Sequence, residues 1–365
     1  MQKITLVLFL MFFVQMNAQI VSGKIIDSNT KFPLESASIF VENSSIATMS
    51  KKDGSFQIDL RGLKNNVVVD YVGYVTYLIP KDDLSQTNLT IYLKPSDENL
   101  AEMIIEASPF SRKEMMKCFK KYFLGTTSNG KSCKILNEKV ITFYFDRKTN
   151  TLFAESSEPL IIENKNLDYN IRFLLEEFQA NFNALSLEFY NYKGSSFFGY
   201  SSYTDTSSNN KNVLEKRKKT YENGIPFFLK ALATDELQSN HLAFYLGGFP
   251  TDEKEFFKSE TTDEGYTIQV LKMPMKKVPD LKKFPKINGR MVISTSFDGP
   301  TKDEPTNLNV LQSKTKNQSI VQLNSEQIQI DKNGNLRYPS QVFFGGYFGN
   351  LKLGDMLPVD YDYQK

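Results

Sequence analysis

Tryptophan is absent, histidine occurs once, at His241, and cysteine occurs only as Cys118 and Cys133. Two thiols and one imidazole do not complete a tetrahedral metal set, and a zinc hydrolase needs at least two His ligands around an open position. No metal, cofactor or catalytic residue is therefore assigned. A surplus of one charge is lacking too: 44 Lys and Arg stand against 42 Asp and Glu, thoroughly interspersed. That balance provides no basic face for nucleic acid, and the densest run, Lys216-Arg217-Lys218-Lys219, reads as a solvated segment. Long apolar runs are missing except at the start. Leu6 to Val14 is unbroken, but it is shorter than the roughly 20 residues of a membrane-spanning helix.

Lys3, that apolar run and the small residue in Asn17-Ala18-Gln19 have the layout of a signal peptide over residues 1–18. The expectation is an exported chain starting near Gln19. It would lie in the periplasm, at the outer membrane or on the cell surface, with no transmembrane span after cleavage. The remainder is long enough for two domains. In an oxidising compartment Cys118 and Cys133 read either as a disulfide or as two buried free thiols. A bridge would close a loop of about 15 residues and contribute roughly 3 kcal/mol in the chain-entropy model.

What is present is β signal and aromatic bulk, with 29 Phe and 18 Tyr. Residues 20–93 hold seven short β-branched or aromatic runs separated by turn chemistry, the pattern of an all-β sandwich. In Phe56-Gln57-Ile58-Asp59-Leu60 the alternation places Phe56, Ile58 and Leu60 on one buried face. Asp53-Gly54 reads as a tight turn that pairs the strands on either side of it, and Leu34 as a plug at one end. After Ser111, the apolar positions Met115, Met116, Phe119, Tyr122 and Phe123 predict a helix closed by Gly125. Strand signals dominate beyond it, with a second helix expected over 226–237 and a polar loop over 201–212.

Gly23-x-Ile25-x-Asp27, Pro33-Leu34 with Ala37, Asp53-Gly54-x-Phe56 and Gly73-Tyr74 resemble the carboxypeptidase regulatory-like domain of Bacteroidetes envelope proteins. That resemblance implies a non-catalytic, seven-stranded transthyretin-like β-sandwich over 19–96. The chain departs from it at Ala47-Thr48-Met49-Ser50, where the family carries a Gly-Thr pair. Leu100 to Ala107 resembles the short strand that follows such domains, giving a linker strand over 97–108. Phe123-Leu124-Gly125, Cys133-x-Ile135-Leu136-Asn137, Pro159-Leu160-x-Ile162-x-Asn164 and the ending Asp355-Met356-Leu357-Pro358 are similar to a Bacteroidetes group of unknown function, with departures at Asp168 and Pro226. Residues 109–365 are accordingly expected to form a larger β-rich α+β domain, so the chain as a whole is mainly β.

His241 matches no nucleophile motif, and neither Gly247-Gly248 nor Gly345-Gly346 has the spacing of a phosphate loop. Asp331-x-Asn333-x-Asn335 resembles the start of a calcium loop, but its Gly is at the fourth position, so it reads as a tight turn. The leading functional expectation is a non-enzymatic envelope protein that binds another envelope protein. A glycan-binding protein that stacks sugars on Tyr190, Tyr192, Tyr200 and Tyr203 is the alternative, with the lack of tryptophan against it. A hydrolase whose acids come from distant strands is a third reading.

Overall fold

The computed structural model describes residues 19–84, 88–96, 108–208, 210–279, 286–287, 290–291 and 301–363. The expected signal peptide and all but the last residue of the expected linker strand lie outside them. The architecture is mainly β, in several sheets, with five α-helices among the described residues.

The seven runs near the start form β1 (Ile20–Asp27), β2 (Ser38–Val41), β3 (Ala47–Met49), β4 (Ser55–Asp59), β5 (Val67–Asp70), β6 (Tyr77–Ile79) and β7 (Leu89–Leu93). One sheet has the order β4-β1-β7 and the other β3-β2-β5-β6. Phe56, Ile58 and Leu60 are buried while Gln57 and Asp59 face out, as the alternation requires. β5 is apolar at successive positions because both of its faces are covered. Val67 and Val69 point into the sandwich core, whereas Val68 meets a strand from later in the chain.

The turn residues have structural roles. A Cβ on Gly23 would lie 2.3 Å from the Leu89 carbonyl oxygen, so only glycine lets β1 pass β7 there. Asp27 Oδ1 accepts the Asn29 and Thr30 amides at 2.7 and 3.0 Å, and Oδ2 accepts the Tyr74 hydroxyl at 2.6 Å. That hydrogen bond lowers the Asp27 pKa and pushes Tyr74 up to about 12. Pro33 bridges to Ile26, and Leu34 is buried in the core. Gly73 has a φ of 82° in the turn before Tyr74. Asp53 accepts the Ser55 amide at 3.1 Å, and Gly54 takes a φ of 74°. The expected pairing across this turn does not occur: β3 pairs with β2, and β4 pairs with β1. The turn is a corner between sheets, fixed where the Gly54 carbonyl accepts the Ile25 amide at 2.9 Å.

The next region opens with α1 (Arg112–Phe123), whose N-terminus is closed by a reciprocal Ser111–Glu114 capping box. A short helix α2 (Ser128–Ser132) precedes β8 (Cys133–Ile135), β9 (Ile141–Asp146), β10 (Thr151–Ser156), β11 (Leu160–Asn164), β12 (Tyr169–Phe182) and β13 (Tyr192–Asp205). β12 pairs with β13 along one edge and with β11 and then β10 along the other. Phe119 and Phe123 of α1 pack against Phe178 and Phe173 on this sheet. Of the polar stretch expected as a loop over 201–212, residues 201–205 end β13 and 211–212 begin a helix, while 206–208 and 210 lie between them outside both elements. Ser201 is buried in the strand, where Ser and Thr fit once a neighbour pairs their backbone, and Ser207 is buried just beyond it. A Cβ on Gly199 would lie 2.0 Å from the Leu174 carbonyl oxygen, next to the bulge between Leu175 and Glu177. Gly199→Ala is therefore expected to lower stability by about 1–3 kcal/mol, measured by chemical denaturation.

Helices α3 (Lys211–Glu222) and α4 (Ile225–Ala233) lead into a further core. α4 ends four residues before the expected Leu237, and the left-handed Asp235, at φ 58°, turns the chain there. The strands that follow are β14 (Leu242–Leu246), β15 (Phe249–Thr251), β16 (Phe257–Thr262), β17 (Gly265–Val270), β18 (Met275–Pro279), β19 (Lys286–Ile287), β20 (Arg290–Met291), β21 (Thr301–Pro305), β22 (Leu308–Gln312), β23 (Asn317–Leu323), β24 (Gln327–Asp331) and β25 (Val342–Gly345). Sheets β15-β14-β22-β23-β25 and β16-β17-β24 enclose Phe244, Phe257, Ile268 and Val310 together with Phe228 of α4. Two short pairs, β18-β21 and β19-β20, lie apart from these sheets. After β25, α5 (Gly346–Asn350) adds the buried Phe348. Residues 109–363 thus contain two hydrophobic cores, one under α1 and one around α4. No helix among the described residues is long and apolar enough to cross a membrane.

Candidate functional site

The sandwich is fixed to the rest of the chain by backbone and by charge. The left-handed turn at Asn43, φ 58°, lets the β2–β3 loop lie along β13. There the Asn43 amide donates to Ser201 O at 2.8 Å and the Tyr203 amide donates to Ser44 O at 2.9 Å. Phe40 and Val68 pack on Leu174 and Tyr200, and buried Asp70 pairs with Arg172 of β12. The C-terminal segment closes the joint. The Val359 amide donates to Asn43 O at 2.8 Å, and Asp360 accepts the Ser45 amide at 2.8 Å.

This joint leaves a cleft of about 590 Å³ between the sandwich turns at 61–66 and the loop at 331–339. Its walls are polar. Glu264 receives Lys64 from the sandwich side and Arg337 from the opposite side, a charge bridge across the cleft. The bridging lysine holds the Glu264 carboxyl below the usual range. Lys81 Nζ lies 4.8 Å from the centroid of the exposed Tyr338 ring. Asp331 Oδ1 accepts the Asn333 and Asn335 amides at 2.8 and 2.9 Å, which is the geometry of a tight turn rather than a calcium loop. Gly334 must be glycine there, because a Cβ would meet Pro226 O at 2.0 Å.

A second cavity of about 430 Å³ adjoins the first and shares Glu42, Asn43, Asn333 and Val359 with it. It is more apolar, with Phe197, Phe198, Tyr221 and Leu357 among its walls. Clefts of this size at the meeting of structural units are where binding sites concentrate. Glu42, where the two spaces meet, accepts Asn66 Nδ2 at 2.9 Å, and burial pushes its carboxyl above the usual range. A carboxyl with a raised folded pKa stabilises the fold below its ordinary pKa and loses that contribution as pH rises. Glu42→Gln is therefore expected to raise the melting temperature at neutral pH. Thermal scans should show the gain shrinking towards pH 4.

At the far side of the second cavity, Asp355 accepts the Thr127 hydroxyl at 2.7 Å and Asn129 Nδ2 at 3.2 Å, while its other oxygen is buried without a partner. Burial raises this carboxyl as well.

The four tyrosines singled out in the sequence do not form one platform. Tyr190 is exposed, whereas Tyr192 stacks on Tyr122 at 4.0 Å and 3°. Tyr200 lies in the sandwich contact, and Tyr203 is buried edge-on to Tyr169. Cys118 and Cys133 stand as free thiols, the first buried and the second half-buried. Cys118 faces the core from α1, and Cys133 Sγ donates to Asn129 O at 3.4 Å. Burial pushes both thiols up to about 12. His241 sits exposed in a left-handed turn at φ 60°. Among the described residues no group of three or more His, Cys, Asp or Glu is placed to hold a metal ion. Arg217, placed by sequence in a solvated run, is instead buried between α3 and β13. The cleft residues themselves come from six separate stretches of chain and carry no local motif.

No curated protein matches the chain. Among solved structures, a 9R-lipoxygenase from Cyanothece PCC8801 aligns at 14% identity and a TM-score of 0.19, over 63% of this chain and 49% of that one. The chain thus spans about half the length of that enzyme. Residues 21–105 match the family model of the CarboxypepD_reg-like domain, a span that takes in the two-sheet sandwich. The N-terminal part of this protein is therefore a CarboxypepD_reg-like domain, a non-catalytic binding and regulatory module.

Proposed function

We propose that this protein is an exported, non-enzymatic binding protein of the bacterial cell envelope, and that the junction cleft receives a segment of another envelope protein. The supporting observation is the joint itself. A non-catalytic module forms one wall of a 590 Å³ cleft, and the Lys64–Glu264–Arg337 bridge holds that wall against the other. The sandwich would act as a rigid wall, and the loop at 331–339 would carry specificity. A glycan is the second reading, favoured by the exposed Tyr338 ring beside Asn65 and Asn66 in the same cleft.

The test is quantitative affinity capture from detergent-solubilised envelope, using protein from Gln19 onward. A variant with the exposed cleft residue Lys332 replaced by Trp serves as the comparison. The expected result is one or two envelope proteins enriched by the wild type and lost with Lys332→Trp. Enrichment of polysaccharide instead supports the glycan reading, and equal recovery by both proteins removes the cleft from the account.

A further inference from the structure

The tip of the β12–β13 hairpin is built to expose what most surfaces hide. The Asn183 amide donates to Asn191 O at 2.7 Å and closes the hairpin, while the Asn191 amide donates to Glu188 O at 3.1 Å and fixes the last turn. Leu187 turns in to pack on the core. Leu185, Phe189 and Tyr190 turn out, at 51%, 69% and 79% exposure. One exposed apolar side chain is ordinary, but three within six residues on a braced tip are not.

A cationic fringe adjoins them. Lys121 Nζ of α1 lies 4.7 Å from the Phe189 ring centroid. Lys117 and Lys113 follow at four-residue spacing, which places all three along one stripe of the helix. Neither Lys113 nor Lys117 enters an ion pair among the described residues, and Lys193, near the start of β13, is exposed. The nearby acids are mostly engaged: Glu114 in the capping box, and Glu138 with Lys120. Glu188 is the one exposed carboxylate in the tip itself.

We infer that this tip docks on an anionic lipid bilayer, with Leu185, Phe189 and Tyr190 entering the headgroup boundary and the α1 lysines meeting the lipid charge. Aromatic side chains favour the interface, and basic residues near it are drawn to anionic headgroups over about a Debye length. Charge complementarity selects the bilayer over a second copy of this chain, whose tip would carry the same positive fringe. The inference does not depend on what the cleft binds.

The absence of tryptophan makes the test direct, since Tyr190→Trp places the only indole of the chain at the tip. Titrated with phosphatidylcholine vesicles containing phosphatidylglycerol, this variant is expected to show a blue-shifted emission. Vesicles of phosphatidylcholine alone should produce none. In co-sedimentation, binding of the protein from Gln19 onward should weaken at least about tenfold in Phe189→Ser/Tyr190→Ser and in Lys113→Glu/Lys117→Glu/Lys121→Glu, and should fall with added salt. An unshifted indole emission from the Tyr190→Trp variant, equal binding to both vesicles, or binding unchanged by either set of substitutions overturns the inference.

Discussion

Replacing Arg217 by Met is expected to cost about 3 kcal/mol of folding stability, measured by denaturant titration at neutral pH. The side chain is 2% exposed. Its Nε donates to Leu167 O at 2.8 Å, Nη2 to Asp168 O at 3.0 Å, and the fork grips both oxygens of Asp205 at 2.7 and 2.9 Å. The guanidinium also lies 3.7 Å over the Tyr169 ring. Much of the loss would come from the Leu167 carbonyl left without its donor, whereas Asp168 O keeps the Thr206 amide and hydroxyl at 3.0 and 2.9 Å. Asp205 is half exposed, so its charge attraction is partly screened. Arg217→Lys should recover little, because an ammonium cannot reproduce the planar fork.

The same pair sets a pH dependence. Hydrogen bonds from Arg217 hold the Asp205 carboxyl well below the usual carboxylate range. A depressed folded pKa contributes stability that is present above the ordinary value near pH 4 and is lost as pH falls below it. The gap between wild type and Arg217→Met should therefore narrow on acidification. A gap that widens at low pH would show that Asp205 is not the partner that matters.

The second large effect is expected at the sandwich joint. Asp70 is 5% exposed and pairs with Arg172 across the contact between β5 and β12. Arg172→Met leaves a buried carboxylate unpaired, which costs about 3–5 kcal/mol in comparable settings. The loss should appear first as loosening of the joint. Hydrogen exchange is expected to rise in β2 and β5, whose outer residues Phe40 and Val68 pack on Leu174, while the core under α1 stays protected. Adding Asp70→Asn to Arg172→Met should restore part of the stability, since the unpaired charge is then gone. Protection unchanged in β5 would mean that apolar contact alone holds the joint.

The sandwich was legible in the sequence because its strands alternate, its turns are punctuated, and Asp27, Pro33, Gly54 and Tyr74 each have a local partner. Strand pairing across Asp53-Gly54 was not legible. A glycine with positive φ specifies a turn, but whether the chain returns to the same sheet depends on distant partners such as Ile25. Gly247-Gly248, which lacks the spacing of a phosphate loop, proves to be the two-residue turn of the β14–β15 hairpin, with φ of 60° and 89°. Arg217 was hidden by its lysine neighbours, since only the placement of α3 shows that one of four adjacent cations turns inward. The cleft was hidden for a simpler reason. Glu42, Lys64, Glu264, Arg337 and Val359 meet only once three cores have packed.

Whether the junction cleft is the binding site is decided by hydrogen exchange of the protein from Gln19 onward, with and without the envelope component that it captures. New protection is expected at 61–66 and 331–339, on both walls of the cleft. Protection confined to other surfaces, with both walls unchanged, would contradict binding in the cleft.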